Sequence, residues 1–184
     1  MKSSELEKLG LIYLFYGKER TMSGKNILVY GHKLLREKAL PVEEIDENIL
    51  SILDTMKRLM KEASGIGLAG NQVGVLRRLI TLVDPDSDEE IALINPVVKE
   101  QGSETDKCEE GCLSIPEVFA KVERPVEIFV QGVTPEGKET EIEARGMLGR
   151  ILLHEIDHLD GVLFVDRLTP ARRLLLAGKL KKLL

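Results

Sequence analysis

The chain has 184 residues, a formal charge of −5, 43% apolar residues and 31% charged residues. These are globular proportions at a length that suits one domain with a substantial core, so collagen-like, low-complexity and wholly disordered chains are excluded. There is no run of 18 uninterrupted apolar residues, the length a membrane-spanning helix needs, and the acidic balance argues against nucleic acid, above all sequence-specific binding to it. Cys108 and Cys112 are too few and too close together for a disulfide scaffold; they predict free thiols in a reducing compartment and hence a cytoplasmic protein.

Residues 1–21 differ from the remainder, since Tyr13, Phe15 and Tyr16 crowd into the short apolar run Leu9 to Tyr16. Glu5 and Glu7, and the lack of a small-x-small cleavage site, speak against a signal peptide. We expect an N-terminal extension over 1–21, with Met22 as an alternative start, and a single domain over 22–184. From Asp46, the apolar residues Ile49, Leu53, Met56, Met60 and Ala63 recur at three- and four-residue steps, which predicts a one-sided helix capped by Asp46 and ended at Gly65. The β-branched runs 76–84 and 91–100 read as strands joined by an acidic turn. The runs 126–133 and 138–144 read as a hairpin around Thr134-Pro135-Glu136-Gly137, with Ile128, Val130, Ile142 and Ala144 inward.

After Gly146 a second helix is predicted, with Gly161 as its stop. Thr169 and Pro170 begin a last helix with leucines 174, 175, 176, 180, 183 and 184 as an apolar stripe between Arg172, Arg173, Lys179, Lys181 and Lys182. No acid follows Asp166, so a basic tail is attached to an acidic body. The class is α+β: short antiparallel or mixed sheets around a central helix, with a further helix at the C-terminus.

The central helix carries His154-Glu155-Ile156-Asp157-His158, an HExxH motif. Residues four apart share a helix face, so two imidazoles can reach one metal ion while Glu155 reaches a water beside it. A hydrolytic site of this kind wants a third protein ligand and an open position. Phe164 occupies the place where a metzincin has its third His, and no Glu follows Glu155, so neither that class nor a thermolysin-like one fits. The third ligand is then sought upstream among His32, Cys108, Cys112 and several acids. Of these, Cys112 in Glu110-Gly111-Cys112-Leu113-Ser114 stands out, although a lone cysteine also serves as a small buried apolar residue. Cys108, in a polar stretch, reads as an exposed turn residue and His32 as a surface residue. The rival is a closed, catalytically silent zinc module using Cys108, Cys112, His154 and His158. Between the first helix and the first strand lies Gly65-Ile66-Gly67-Leu68-Ala69-Gly70-Asn71-Gln72, whose small residues allow backbone to approach a ligand and whose Gln72 offers an amide donor. It lacks the Lys-Ser/Thr of a phosphate-binding loop.

Taken in order, GIGLAGNQ, EGCLS and HEIDHLDG resemble the GxGLAAxQ, EGCLS and HExDHxxG motifs of the peptide deformylases, and the likeness covers about residues 26–168. Gly70 stands where a second Ala is usual, Gly31 where Pro often follows the aromatic, and Leu153 where Gln commonly precedes the first His; Gly70 is expected to loosen the lead-in to Gln72. The resemblance implies a metallohydrolase that removes the N-formyl group from the initiator methionine of nascent polypeptides, releasing formate. It implies Cys112, His154 and His158 as ligands of one divalent ion, Fe(II) in the cell with Zn(II), Ni(II) or Co(II) also possible. It further implies Glu155 as the proton carrier, Gln72 and the Leu113 N–H as oxyanion donors, and Ile66 and Gly67 as lining of the peptide groove. Met147, Leu148 and Ile151 are candidate walls of the methionine pocket, and Glu110 and Arg124 a candidate pair bracing EGCLS. For the basic C-terminal helix the resemblance suggests ribosome contact. The alternative activity for the motif is an HExxH metallopeptidase cleaving internal amide bonds.

Overall fold

The structure, a computed structural model, describes residues 27–184; the expected extension over 1–21 and the candidate start at Met22 lie outside the described residues. After a 3-10 turn at Lys33–Arg36 comes helix α1, Glu47–Glu62. Asp46 caps it, its Oδ1 accepting from the Ile49 N–H at 2.8 Å. Its far end differs in detail from the expectation. Ser64 takes the left-handed position (φ 54°) and the Gly65 N–H closes onto the Met60 carbonyl at 2.8 Å. Gly65 lies close under the Leu113 side chain, where a Cβ would come 2.8 Å from Leu113 Cδ1.

Seven strands follow α1 among the described residues: β1 Gly67–Ala69, β2 Leu79–Val83, β3 Glu90–Gln101, β4 Thr105–Cys112, β5 Ile115–Pro125, β6 Glu127–Val133 and β7 Glu139–Arg145. They form a five-stranded sheet in the order β1-β2-β3-β6-β7 and a separate β4-β5 hairpin, every pairing antiparallel. The β6-β7 turn is closed by the Gly137 N–H on the Thr134 carbonyl at 2.9 Å, with Gly137 at φ 78°. Two strands depart from the sequence reading. Leu68 and its neighbours pair with β2 instead of forming a free loop, and the polar stretch around Cys108 is a strand, not an exposed turn.

Helix α2, Gly146–Leu159, lies against the five-stranded sheet, and helix α3, Pro170–Lys181, lies against the β4-β5 hairpin side. Ile80, Leu82, Leu93, Ile128, Val130 and Ala144 meet Ile151, Leu152, Ile156 and Leu159 of α2 in one core cluster. Leu53, Met56, Leu59 and Met60 of α1 pack with Leu68, Leu79 and Ile94 in another, and Cys112, Ile115, Val118 and Val122 pack with Phe164, Val165 and Leu180 in a third. Each fully enclosed Leu, Ile or Met contributes roughly 1.5–3 kcal/mol, so α2, packed along most of its length, is the best-anchored helix. Gly161 (φ 72°) ends it against the Arg36 carbonyl, where a Cβ would sit at 2.5 Å, and the Ala39 N–H donates to the Leu159 carbonyl at 2.8 Å. Thr169 caps α3, but its leucine stripe divides: Leu180 is buried and Leu176 and Leu183 pack beside it, whereas Leu174 and Leu175 are 75% and 83% exposed.

Candidate metal centre and active site

The side chains of His154 and His158 stand one turn apart on α2, ring centroids 4.9 Å from each other. Cys112 ends β4, just before the two-residue turn Leu113-Ser114, and its Sγ lies 3.2 Å from His158 Nε2. All three residues are buried and their donor atoms fall within 4.8 Å of one another. Cys108 is not in this cluster. Its thiol donates to Asp106 Oδ2 at 3.0 Å, which removes the closed four-ligand site. His32 is exposed and caps the 3-10 turn at Lys33–Arg36 through Nδ1.

The ligand side chains are held by a buried ionic network. His154 Nδ1 pairs with Glu110 Oε2 at 3.0 Å, which leaves Nε2 as the ring nitrogen to meet an ion. The Arg124 fork donates to both Glu110 oxygens at 2.6 and 2.9 Å and to Asp157 Oδ2 at 2.9 Å. Arg150 donates to Glu110 Oε1 and the Val122 carbonyl, both at 2.9 Å, and to the Asp106 carbonyl at 3.0 Å, while Arg167 pairs with Asp157. Burial alone would raise the Glu110 pKa; the hydrogen bonds from His154 and Arg124 and the Arg124 charge outweigh it and hold the carboxyl well below its usual range. The Glu110–Arg124 brace was expected from the sequence, but Arg150, Asp157 and Arg167 were not. Arg150 sits one turn before His154 on the same helix face and is buried, and a buried cation there requires a buried acceptor.

Glu155 points elsewhere, into the Gly67 backbone. A Cβ at residue 67 would collide with Glu155 Oε1, so only Gly lets the carboxylate sit there. Its Oε2 is buried with no hydrogen-bond partner among the described residues. Burial raises the Glu155 pKa well above the usual carboxylate value; the Arg124 charge opposes this, and the Glu110 and Asp157 charges reinforce it. Burial likewise pushes the His158 imidazole well below its usual value, with the cationic neighbours adding to the effect.

Gln72 approaches from the other side. It is 1% exposed, in a 3-10 turn over Gly70–Val73. Its Oε1 accepts from the Ala69 N–H at 2.8 Å, so the amide NH2 faces the cluster, 3.5 Å from Cys112 Sγ and 3.2 Å from Ser114 Oγ. Gly70 is not loose: a Cβ would lie 2.7 Å from both the Val75 and Arg77 carbonyls, so this chain's turn is built for Gly. Ile66, Leu113, Met147 and Leu148 are half-buried and pack around the first core cluster, whereas Ile151 is 0% exposed and lies inside it, among the core residues.

One thiol sulfur, two imidazoles and an otherwise unpartnered carboxylate oxygen fit a divalent transition ion with an open position, the borderline-soft donor set of Zn(II) or Fe(II) sites.

The family model described as Polypeptide deformylase matches residues 24–174. Among curated relatives, the peptide deformylase of Syntrophobacter fumaroxidans is 49% identical over 161 residues, covering 85% of this chain and 94% of that protein. That of Thermotoga maritima is 42% identical over 154 residues, covering 84% and 93%. Among solved structures, a Legionella pneumophila peptide deformylase aligns with a TM-score of 0.79 at 38% identity, covering 85% of this chain and 92% of the other. The peptide deformylase of Ehrlichia chaffeensis aligns at 0.81 and 34%, covering 85% and 94%.

Proposed function

The chain belongs to the peptide deformylase family, and from that premise we propose how its own residues remove the N-formyl group from the methionine that begins a nascent polypeptide, releasing formate. Cys112, His154 and His158 hold the ion, which when bound supplies a Lewis acid able to lower the pKa of water from ~15.7 toward ~7. Glu155 takes the proton of the attacking water and passes it to the departing amide nitrogen, so that formate and a free amine result. The Gln72 amide and the Leu113 N–H donate to the oxygen that becomes negative when the formyl carbon turns tetrahedral. Ile66 and Gly67 line the peptide groove. Met147 and Leu148 wall the methionine side chain, with Ile151 backing them from the core.

The observation that carries this reading is the buried Cys112, His154 and His158 triplet with Glu155 held against Gly67 beside it. For the ion we assign Fe(II) in the cell, a donor set that also takes Zn(II), Ni(II) or Co(II). The compartment is the cytoplasm, and the exposed cations of α3 are the surface for ribosome contact. No helix among the described residues is long and apolar enough to cross a membrane.

The test is formate release from formyl-Met-Ala-Ser by the metal-loaded chain and by Glu155→Gln. The variant is expected to keep its metal and lose several orders of magnitude in turnover. Internal cleavage of the peptide would support the metallopeptidase reading, and loss of metal from the variant would make Glu155 a ligand.

A further inference from the structure

Asn71 immediately precedes Gln72 and is completely enclosed. Its Nδ2 donates to two backbone carbonyls far away in sequence, Glu37 O at 2.6 Å and Leu34 O at 3.4 Å, and its Oδ1 has no partner among the described residues. Two carbonyl partners fix which end of the amide is the donor. An enclosed amide that bonds two backbone carbonyls from another segment holds the two stretches of chain in fixed register. The same N-terminal segment meets the site at two more points: the Leu28 N–H donates to the Gln72 carbonyl and the Tyr30 N–H to the Ser114 carbonyl, each at 2.7 Å. Ser114 in turn receives the Gln72 amide. The turn bearing Gln72 and the turn bearing Leu113 and Ser114 are therefore bridged by residues 28–37, and Asn71 is the side chain through which the Gln72 turn grips this bridge.

We propose that Asn71 is a positioning residue: by clamping the Gly70–Val73 turn to the Leu34 and Glu37 carbonyls, it sets where the Gln72 amide stands relative to the reacting carbonyl. The proposal rests on the oxyanion role assigned to Gln72. Neither hydrogen bond of the Asn71 amide goes to Cys112 or to the histidines, so its effect is expected on the donor and not on metal affinity.

The experiment is a cycle of Asn71→Ala, Gln72→Leu and the double variant, each Co(II)-loaded, with kcat and KM for formyl-Met-Ala-Ser, Co(II) affinity by absorbance, and Tm. Asn71→Ser, with a hydroxyl too short to span both carbonyls, serves as a milder second variant. Gln72→Leu is expected to lower kcat by roughly 10²–10³. Asn71→Ala is expected to lower kcat by about tenfold to a hundredfold at little-changed KM and unchanged Co(II) affinity, Asn71→Ser by less, and the double variant to be no slower than Gln72→Leu alone. If Gln72→Leu leaves kcat intact, the oxyanion role of Gln72 fails. If Gln72→Leu is slow while Asn71→Ala is fast, or the two losses multiply, Gln72 keeps its role and the clamp does not act through it. A tenfold loss of Co(II) affinity, or unfolding of both Asn71 variants, also overturns the proposal by assigning the contact to the metal site or to the fold.

Discussion

Cys108 and Cys112 lie four residues apart on β4 under opposite conditions, one half-exposed and bonded to Asp106, the other sealed against His158 and Gln72. Cys112→Ala should abolish metal retention and turnover, whereas Cys108→Ala should leave both near the wild type; metal analysis and formate release on the pair check this. Burial pushes the Cys112 thiol far above its ordinary value, with the Glu155 charge adding to it. At neutral pH the metal-free residue is therefore protonated, and loading displaces that proton, while His158, held neutral, has none to give. Raising the pH removes a competitor for the sulfur, so Co(II) should bind about tenfold more tightly at pH 8 than at pH 7. A Kd independent of pH would mean that the thiolate exists before the ion arrives.

Among the elements, β1 leaves no room for a side chain at Gly67 beside Glu155. Gly67→Ala drives a methyl into Glu155 Oε1 and should cost at least about a hundredfold in turnover with Co(II) affinity nearly unchanged. Gly178→Ala, in α3 with open space around it, should instead stabilise the chain by up to about 1 kcal/mol, read as a higher Tm. The same contrast shows what could be read along the chain. The HExxH helix and α1 were legible because apolar spacing of three and four has one geometric solution, and the β6-β7 turn because Pro and Gly sit where such a turn needs them. The β4-β5 hairpin was hidden because its inward face carries Glu110 and Arg124, whose mutual pairing makes charged residues core residues. Gly70 was misread for a related reason: a glycine suggests freedom, but whether its place is loose or tight depends on the Val75 and Arg77 carbonyls that return beside it.

For the molecule as a whole, three buried donors brought by the fold within reach of one ion make the ion a stabiliser of the native state. At a free Co(II) concentration about 100 times Kd, loading should add about 2.7 kcal/mol, a rise in Tm of roughly 5–10 °C for a chain of this size, reversed by a chelator. Calorimetry of the apo and loaded forms, with Cys112→Ala as the control that should not respond, measures it.

The bond from the Ala39 N–H to the Leu159 carbonyl ties together positions 120 residues apart, and the Arg36–Asp166 ion pair spans 130. Contacts this distant in sequence form late in folding, because a large loop has to close before they repay its entropy. His154 and His158 share one helix and can face the same way as soon as it winds, whereas Cys112 and Gln72 reach them only once the hairpin and the N-terminal segment have docked. Two imidazoles alone hold an ion weakly and briefly; the sulfur comes with the finished tertiary structure. Tight metal capture therefore reports that the chain has completed its fold, and a growing polypeptide whose residues past 159 are still missing lacks the Gly161 turn and the Arg36–Asp166 ion pair that fasten the helix end on which both histidines stand.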